Sequence, residues 1–246
     1  MEPTDRTAMI EFDRVTRDFG PTRAVDELSL RITEGELYGC LGPNGAGKTT
    51  SLRMAVGLLR PTSGTLRIAG RDVLTEAPAV RRLRGFVPDT PPIYDHLTGW
   101  QYVAFVASLW NVDRAQRDAD AERMFTLLDL QEARNQICQG YSFGMKKKLH
   151  LAAILVTRPR VLFLDEPTAG LDPRSTRTLK DLLRELCAGG TTIFLTTHLL
   201  DAAEELCDRI GIVAKGRLLA EGTMSELRAR TGDARLEQVF LSLTEP

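Results

Sequence analysis

The stretch GPNGAGKTT, Gly42 to Thr50, decides the fold class. It fits the pattern G-x-x-x-x-G-K-[ST], and its flanks supply the context that pattern needs. The apolar run in EGELYGCLG before it predicts a strand, and TTSLRMAVGLL continuing from it predicts a helix. The residue types follow from the chemistry. Glycines at 42, 45 and 47 let backbone N–H groups turn inward around a phosphate, where a Cβ would obstruct. Lys48 brings a point charge to a nucleotide's β- and γ-phosphates, and the Thr49 hydroxyl can ligate Mg2+. The N-terminus of the following helix adds its dipole.

Upstream, MIEFDRV and ELSLRIT alternate apolar and polar positions, with Leu28, Leu30 and Ile32 on one face, and so predict half-buried strands. GTLRIAG predicts another, ended by Gly70. In PDTPP, residues 88–92, three prolines withhold backbone donors and exclude regular structure. Residues from about 97 to 156 read mainly as helix, with loops near Asn111, Leu130 and Gln139. Beyond Pro159, buried strands return in VLFLDEP, TTIFLTTH and IGIVAKG. Between the first two lies a helix with Asp172 as N-cap and Pro173 at its first position. Its leucines at 179, 182, 183 and 186 recur with helical spacing. A hairpin is expected to turn at Lys215-Gly216. The expected layout is one domain over 1–246. An α/β core with its β subdomain spans 1–87 and 158–222, a helical insertion spans 88–157, and a short helical tail spans 223–246.

VLFLDEP sets four apolar residues before Asp165, as a buried parallel strand would if it delivered an acid to the sheet's C-terminal edge. Asp165 is the candidate Mg2+ carboxylate, and Glu166 is the candidate for polarising an attacking water. Neighbouring acids at a strand end point to opposite sides, so the two roles are compatible. His198 closes TTIFLTTH, whose strand would lie beside the acid-bearing one, and its imidazole suits a γ-phosphate contact. His96 and His150 have no such company and read as surface or packing residues.

The bulk properties set outer limits. The 246 residues are 43% apolar and 26% charged, with a net charge of −1, so the chain as a whole does not attract nucleic acid. Four cysteines without a CxxC pair read as reduced thiols of a cytosolic protein. No run approaches the roughly 18–20 apolar residues of a membrane helix, and MEPTDRTAMIEF has no signal-peptide core. The expectation is a soluble chain whose membrane role, if it has one, runs through a partner. YSFGMKKKL, residues 141–149, poses a puzzle, because lysines at the electropositive start of a helix weaken it unless an anion arrives.

Taken in order, GPNGAGKTT, GFVPDTPP, YSFGMKKK, VLFLDEPTAGLDP and FLTTH resemble the nucleotide-binding subunit of an ATP-binding cassette (ABC) transporter, over nearly the whole chain. The resemblance implies a P-loop NTPase core with an N-terminal antiparallel β subdomain and an inserted helical subdomain, and it implies an ATPase using ATP and Mg2+. It implies that Gly42, Pro43, Asn44, Gly45, Ala46, Gly47, Lys48, Thr49 and Thr50 bind nucleotide. Ser142 and Gly144 would touch the γ-phosphate held by a second subunit, most simply another copy of this chain. TAGLDP resembles the loop that crosses to that subunit. Phe19 stands where the family stacks adenine; a core phenylalanine ending a strand is the other possibility. The resemblance further implies a separate integral membrane permease, docked near Leu97, and a place on the inner face of the cell membrane. Trp100, Tyr102 and Phe105 would either meet that permease or pack the helical subdomain.

Three positions, in two motifs, depart from the family pattern. Phe143 and Met145 replace Gly and Gln in the signature, although a Tyr-Ser-x-Gly-Met-Lys form occurs in one branch. Asp89 replaces the glutamine that touches Mg2+ and senses the permease, so it would act as a catalytic and metal contact through water. PPIYDHLTGWQYVAF and ARLEQVFLSLT resemble the exporter branch that moves drugs, antibiotics, sodium or polysaccharide precursors outward. A DNA- or ribosome-directed ABC ATPase would need coiled-coil arms or two cassettes. A regulatory subunit that only binds ATP would not need Glu166 and His198.

Overall fold

The computed structural model describes residues 7–229 together with Gln238 and Phe240. The closing ARLEQVFLSLT, apart from those two residues, lies outside the described residues.

The chain opens with β1 (Ala8–Phe19) and β2 (Thr22–Thr33), which pair antiparallel, followed by β3 (Leu37–Leu41) and α1 (Lys48–Ala55). β4 (Ser63–Ile68) and the short β5 (Arg71–Asp72) complete a four-stranded antiparallel sheet in the order β2-β1-β4-β5. After α2 (Ala77–Leu83) comes β6 (Arg84–Val87), and three helices then follow without a strand: α3 (Gly99–Leu109), α4 (Arg114–Leu127) and α5 (Phe143–Leu155). β7 (Val161–Asp165), α6 (Pro173–Ala188), β8 (Thr192–Thr197), α7 (Leu200–Leu206), β9 (Arg209–Ala214), β10 (Arg217–Gly222) and α8 (Met224–Ala229) finish the described chain. The second sheet runs β10-β9-β3-β8-β7-β6, parallel throughout except for the β9–β10 hairpin. That hairpin turns at Lys215 (φ 50°) and Gly216 (φ 80°), the pair of positive angles a two-residue turn demands.

The alternation in the parallel strands divides the interior in two. Leu162 and Leu164 of β7, Ile193 and Leu195 of β8, and Leu37 and Leu41 of β3 face a cluster completed by α3–α7. Val161, Phe163, Phe194, Tyr38 and Cys40, the intervening positions, face a second cluster shared with α1 and the antiparallel sheet. Strands buried on both faces read as unbroken apolar runs, and these do. The functional edge is where β3, β7 and β8 end together. Among the described residues no helix is long and apolar enough to cross a membrane.

Trp100 and Tyr102 pack inside the helical part. Trp100 lies against Phe125 and under the Arg134 guanidinium, while Tyr102 is buried and hydrogen-bonds His150. Phe105 is more open and meets Tyr94 edge-on. His150 is a packing residue, as its sequence context suggested, and burial holds its pKa down at about 4.

Candidate active site

The loop after β3 is held by main chain on two sides. Gly42 N–H donates to the Thr197 carbonyl at the end of β8, and Gly216 N–H donates to the Ala46 carbonyl from the hairpin turn. Gly47 sits at φ 103°, and a Cβ there would lie 2.4 Å from the Ala24 carbonyl oxygen, a backbone atom that cannot swing aside. A glycine is required both by its angle and by its neighbour. α1 then starts with no side-chain cap and no acid in its first turn. Its free N–H groups form an open anion site at the loop's centre. Lys48 is nearly buried, and its ammonium donates to the loop's own Gly42 and Pro43 carbonyls at 2.6 and 3.1 Å.

The carboxylates arrive from the neighbouring strands. β7 ends with Asp165, whose Oδ1 accepts from the Thr49 hydroxyl at 3.2 Å and from the Thr196 hydroxyl on β8 at 2.5 Å. Thr196 had no sequence signal, because one threonine of TTIFLTTH looks like another. An alcohol beside a carboxylate is a hard all-oxygen pair, which suits Mg2+ completed by phosphate oxygens and water. Glu166 comes next, in the left-handed region at φ 48°, and its carboxylate meets other partners than that of Asp165. Its Oε1 lies 2.9 Å from His198 Nδ1 and 3.9 Å from Lys48 Nζ. The parallel pairing of β7 with β8 is what brings His198 there. Beneath the loop, burial pushes the Cys40 thiol up to about 12, so it stays protonated.

A cleft of about 810 Å³ opens over these groups, lined among others by Asn44 to Thr50, Phe86, Asp89, Asp165 and Glu166. Asp89 shares this wall but turns its carboxylate to Lys147 Nζ, 2.9 Å away. Phe19 ends β1 with its ring 46% exposed and the Arg17 guanidinium 4.5 Å over its face. That exposure overturns the core alternative for Phe19.

Ser142 and Gly144 are not in the cleft lining. Ser142 is the N-cap of α5, accepting from Met145 N–H at 3.2 Å. The Phe143 ring packs on Gly170 of the TAGLDP loop, where a Cβ would come within 2.8 Å of it, and it is 45% exposed. Gly144 faces the Gly170 carbonyl, 3.1 Å from where its Cβ would stand. Asp172 caps α6, and the hydrogen bonds from Ser175 lower its pKa. The lysines depart from expectation. α5 begins at Phe143, so they fall beyond its first three positions, and two of them meet protein acids: Lys146 binds Asp95 at 2.7 Å, and buried Lys147 binds Asp89.

Comparison with known proteins agrees with this arrangement. A family model for ABC transporters matches residues 25–169. The daunorubicin resistance ATP-binding protein DrrA3 of Streptomyces coeruleorubidus is 42% identical over 231 residues, covering 94% of this chain and 73% of that protein. The Nod factor export ATP-binding protein I of Paraburkholderia xenovorans is 39% identical over 233 residues, covering 95% and 77%. A solved structure of the ATP-binding subunit of an ABC transporter superposes with a TM-score of 0.90 at 27% identity, covering 96% of this chain and 99% of that one. The chain therefore belongs to the ABC transporter family, as one of its ATP-binding subunits that hydrolyse ATP.

Proposed function

We propose that this chain is the motor of an exporter. It works at the cytoplasmic face of a membrane, and its ATP hydrolysis drives a separate membrane-spanning permease. The observation that carries this is the convergence of Lys48 and Thr49, at the start of α1, with Asp165, Glu166 and His198, which follow from the ends of β7 and β8. The names of the relatives, one a drug-resistance protein and one a Nod factor exporter, support outward transport.

In this mechanism the open N-terminus of α1 and the loop from Gly42 to Thr50 bind the phosphates of ATP. The Lys48 ammonium leaves its loop carbonyls for the β- and γ-phosphates, and Phe19 carries the adenine. Thr49 and Asp165 would hold Mg2+, with Asp89 reaching it through water, and the ion would supply positive charge to the β- and γ-phosphates. Glu166 takes the proton of the attacking water, and His198 holds that carboxylate on the cleft rim and contacts the γ-phosphate. Two copies pair, each laying Ser142 and Gly144 over the nucleotide held by the other. Hydrolysis releases the pair and resets the permease.

Light scattering on Glu166→Gln with and without ATP-Mg2+ tests this. With the base removed, the mass is expected to double only when ATP is present. Protein that binds ATP yet stays monomeric would overturn the homodimer and point to a different second subunit.

A further inference from the structure

We infer that Lys147 is a positioning residue for the Glu166 carboxylate, an inference that rests on Glu166 being the base. Lys147 is 3% exposed, and each of its three donors has a partner. Nζ donates to the Glu166 carbonyl at 2.7 Å, to the Ala169 carbonyl at 3.0 Å and to Asp89 Oδ1 at 2.9 Å. The Phe143 ring lies 5.3 Å from the same ammonium.

The target of the first of these bonds is informative. Glu166 has a left-handed backbone that a non-glycine residue keeps only when its surroundings over-determine it. Its N–H is fixed by the Thr196 carbonyl at 3.0 Å, and its C=O accepts from Lys147 at 2.7 Å and, within its own turn, from the Ala169 N–H at 3.2 Å. The residue is thus pinned on one side by β8 and on the other by α5. The carboxylate of this residue lies beside His198 and Lys48, and losing the lysine leaves its carbonyl only the Ala169 N–H of its own turn, a local bond that no longer ties the turn to α5. The second carbonyl bond, to Ala169, fixes the far end of the same turn. One ammonium therefore joins the helix that begins at Ser142 to the turn that holds the proposed base.

Apolar side chains surround the lysine stem, so packing alone does not call for a charge at this position. Val87, Leu151, Leu164, Pro167 and Leu171 line the small cavity next to Lys147. Methionine would fill the same volume, and Asp89, half exposed, can take water in place of the lysine. Lys147→Met is therefore expected to fold.

The test is a double-mutant cycle on ATP hydrolysis, using Lys147→Met, Glu166→Gln and the two together. Phosphate release is followed at steady state for the wild type and in single turnover for the slow variants. Lys147→Met is expected to lower kcat by about 10²-fold, the scale of a misplaced catalytic group, with KM for ATP changed less than about twofold. In the Glu166→Gln background the same substitution should cost far less than about 10²-fold, no more than the freed Asp89 carboxylate accounts for, because there is no base left to aim. Equal fractional losses in both backgrounds would show that Lys147 acts only through Asp89 or the fold and would overturn the inference. So would a folded Lys147→Met protein, checked by thermal melting, that keeps wild-type kcat. If Glu166→Gln itself keeps full turnover, it is the reading of Glu166 as base that fails, which is a separable result. Should Lys147→Met not fold, Lys147→Gln, uncharged and one bond too short to span all three acceptors, carries the same cycle.

Discussion

The loop from Gly42 to Thr50 and the segment from Tyr141 to Lys148 are built alike and finished differently. Each leads into the start of a helix, through Gly47 in the first and Ser142 in the second. α1 begins at a left-handed glycine with no side-chain cap, so its first N–H groups are unclaimed by protein side chains. α5 begins with its N3 N–H already bonded to Ser142 Oγ, and two of its lysines are already bonded to protein carboxylates. The first site is prepared for an anion in a single chain. The second is satisfied on its own, and engaging a phosphate means rearranging a cap. This is the physical asymmetry expected if nucleotide binds first to the loop and only then draws in a second subunit.

The sharpest way to break the comparison is Lys48→Ala. The ammonium is buried and lies within reach of both the loop carbonyls and the Glu166 carboxylate. Removing a pre-placed donor of this kind costs about 10²–10³-fold in turnover, and here nucleotide affinity should fall with it. Phosphate release and nucleotide titration on the purified variant measure both. Near wild-type turnover would mean that the phosphates lie elsewhere in the cleft.

A smaller effect should come from the middle of α5, and it concerns acid stability. His150 is buried, with Nδ1 2.6 Å from the Tyr102 hydroxyl and Nε2 facing the Phe86 carbonyl. The carbonyl can only accept, so the neutral ring carries its proton on Nε2 and accepts from Tyr102 at Nδ1. Burial lowers its pKa from 6.5 to about 4. Below pH 6.5 the unfolded chain therefore binds a proton that the folded chain refuses. Stability falls as pH drops from about 6.5 to about 4, by about 3 kcal/mol in total, and is unaffected by this group above pH 6.5. Denaturant melts of wild type and His150→Gln across that range would check it. The variant's curve should be the flatter, and equal slopes would rule His150 out.

These two regions also differ in how far they could be read in advance. The phosphate loop, the buried strands VLFLD and TIFLTT, and the Asp172–Pro173 helix start are written in local chemistry: glycine spacing, unbroken apolar runs, a capping acid before a proline. Each survives into the structure because the cause is adjacent in sequence. α5 resists the same treatment. From Leu149 to Leu155 it is buried at every position, so no stripe marks which way a residue faces. In Lys146-Lys147-Lys148 three identical side chains have different fates, and only contacts with Asp95, Asp89 and the Glu166 carbonyl, distant in sequence, distinguish them. The exposure of Phe19 was likewise undecided, because a strand end can turn inward or outward and a single aromatic does not reveal which.

The smallest expected effect is the one that probes the difference most directly. Ser142→Ala removes the cap of α5 and nothing from the phosphate loop. Loss of a serine cap costs about 1 kcal/mol of stability, which a denaturant melt resolves. ATP binding to the isolated chain should be unchanged, since Ser142 does not line the cleft. In the Glu166→Gln background, however, the ATP-driven doubling of mass should weaken or vanish, because the hydroxyl that now serves Met145 N–H is the one proposed to reach the second subunit's phosphate. If pairing survives while stability falls, Ser142 is a cap alone and the contact between subunits must be made by backbone donors of α5. If binding to the single chain falls as well, the two regions are not independent, and the asymmetry between the open end of α1 and the closed end of α5 does not separate binding from pairing.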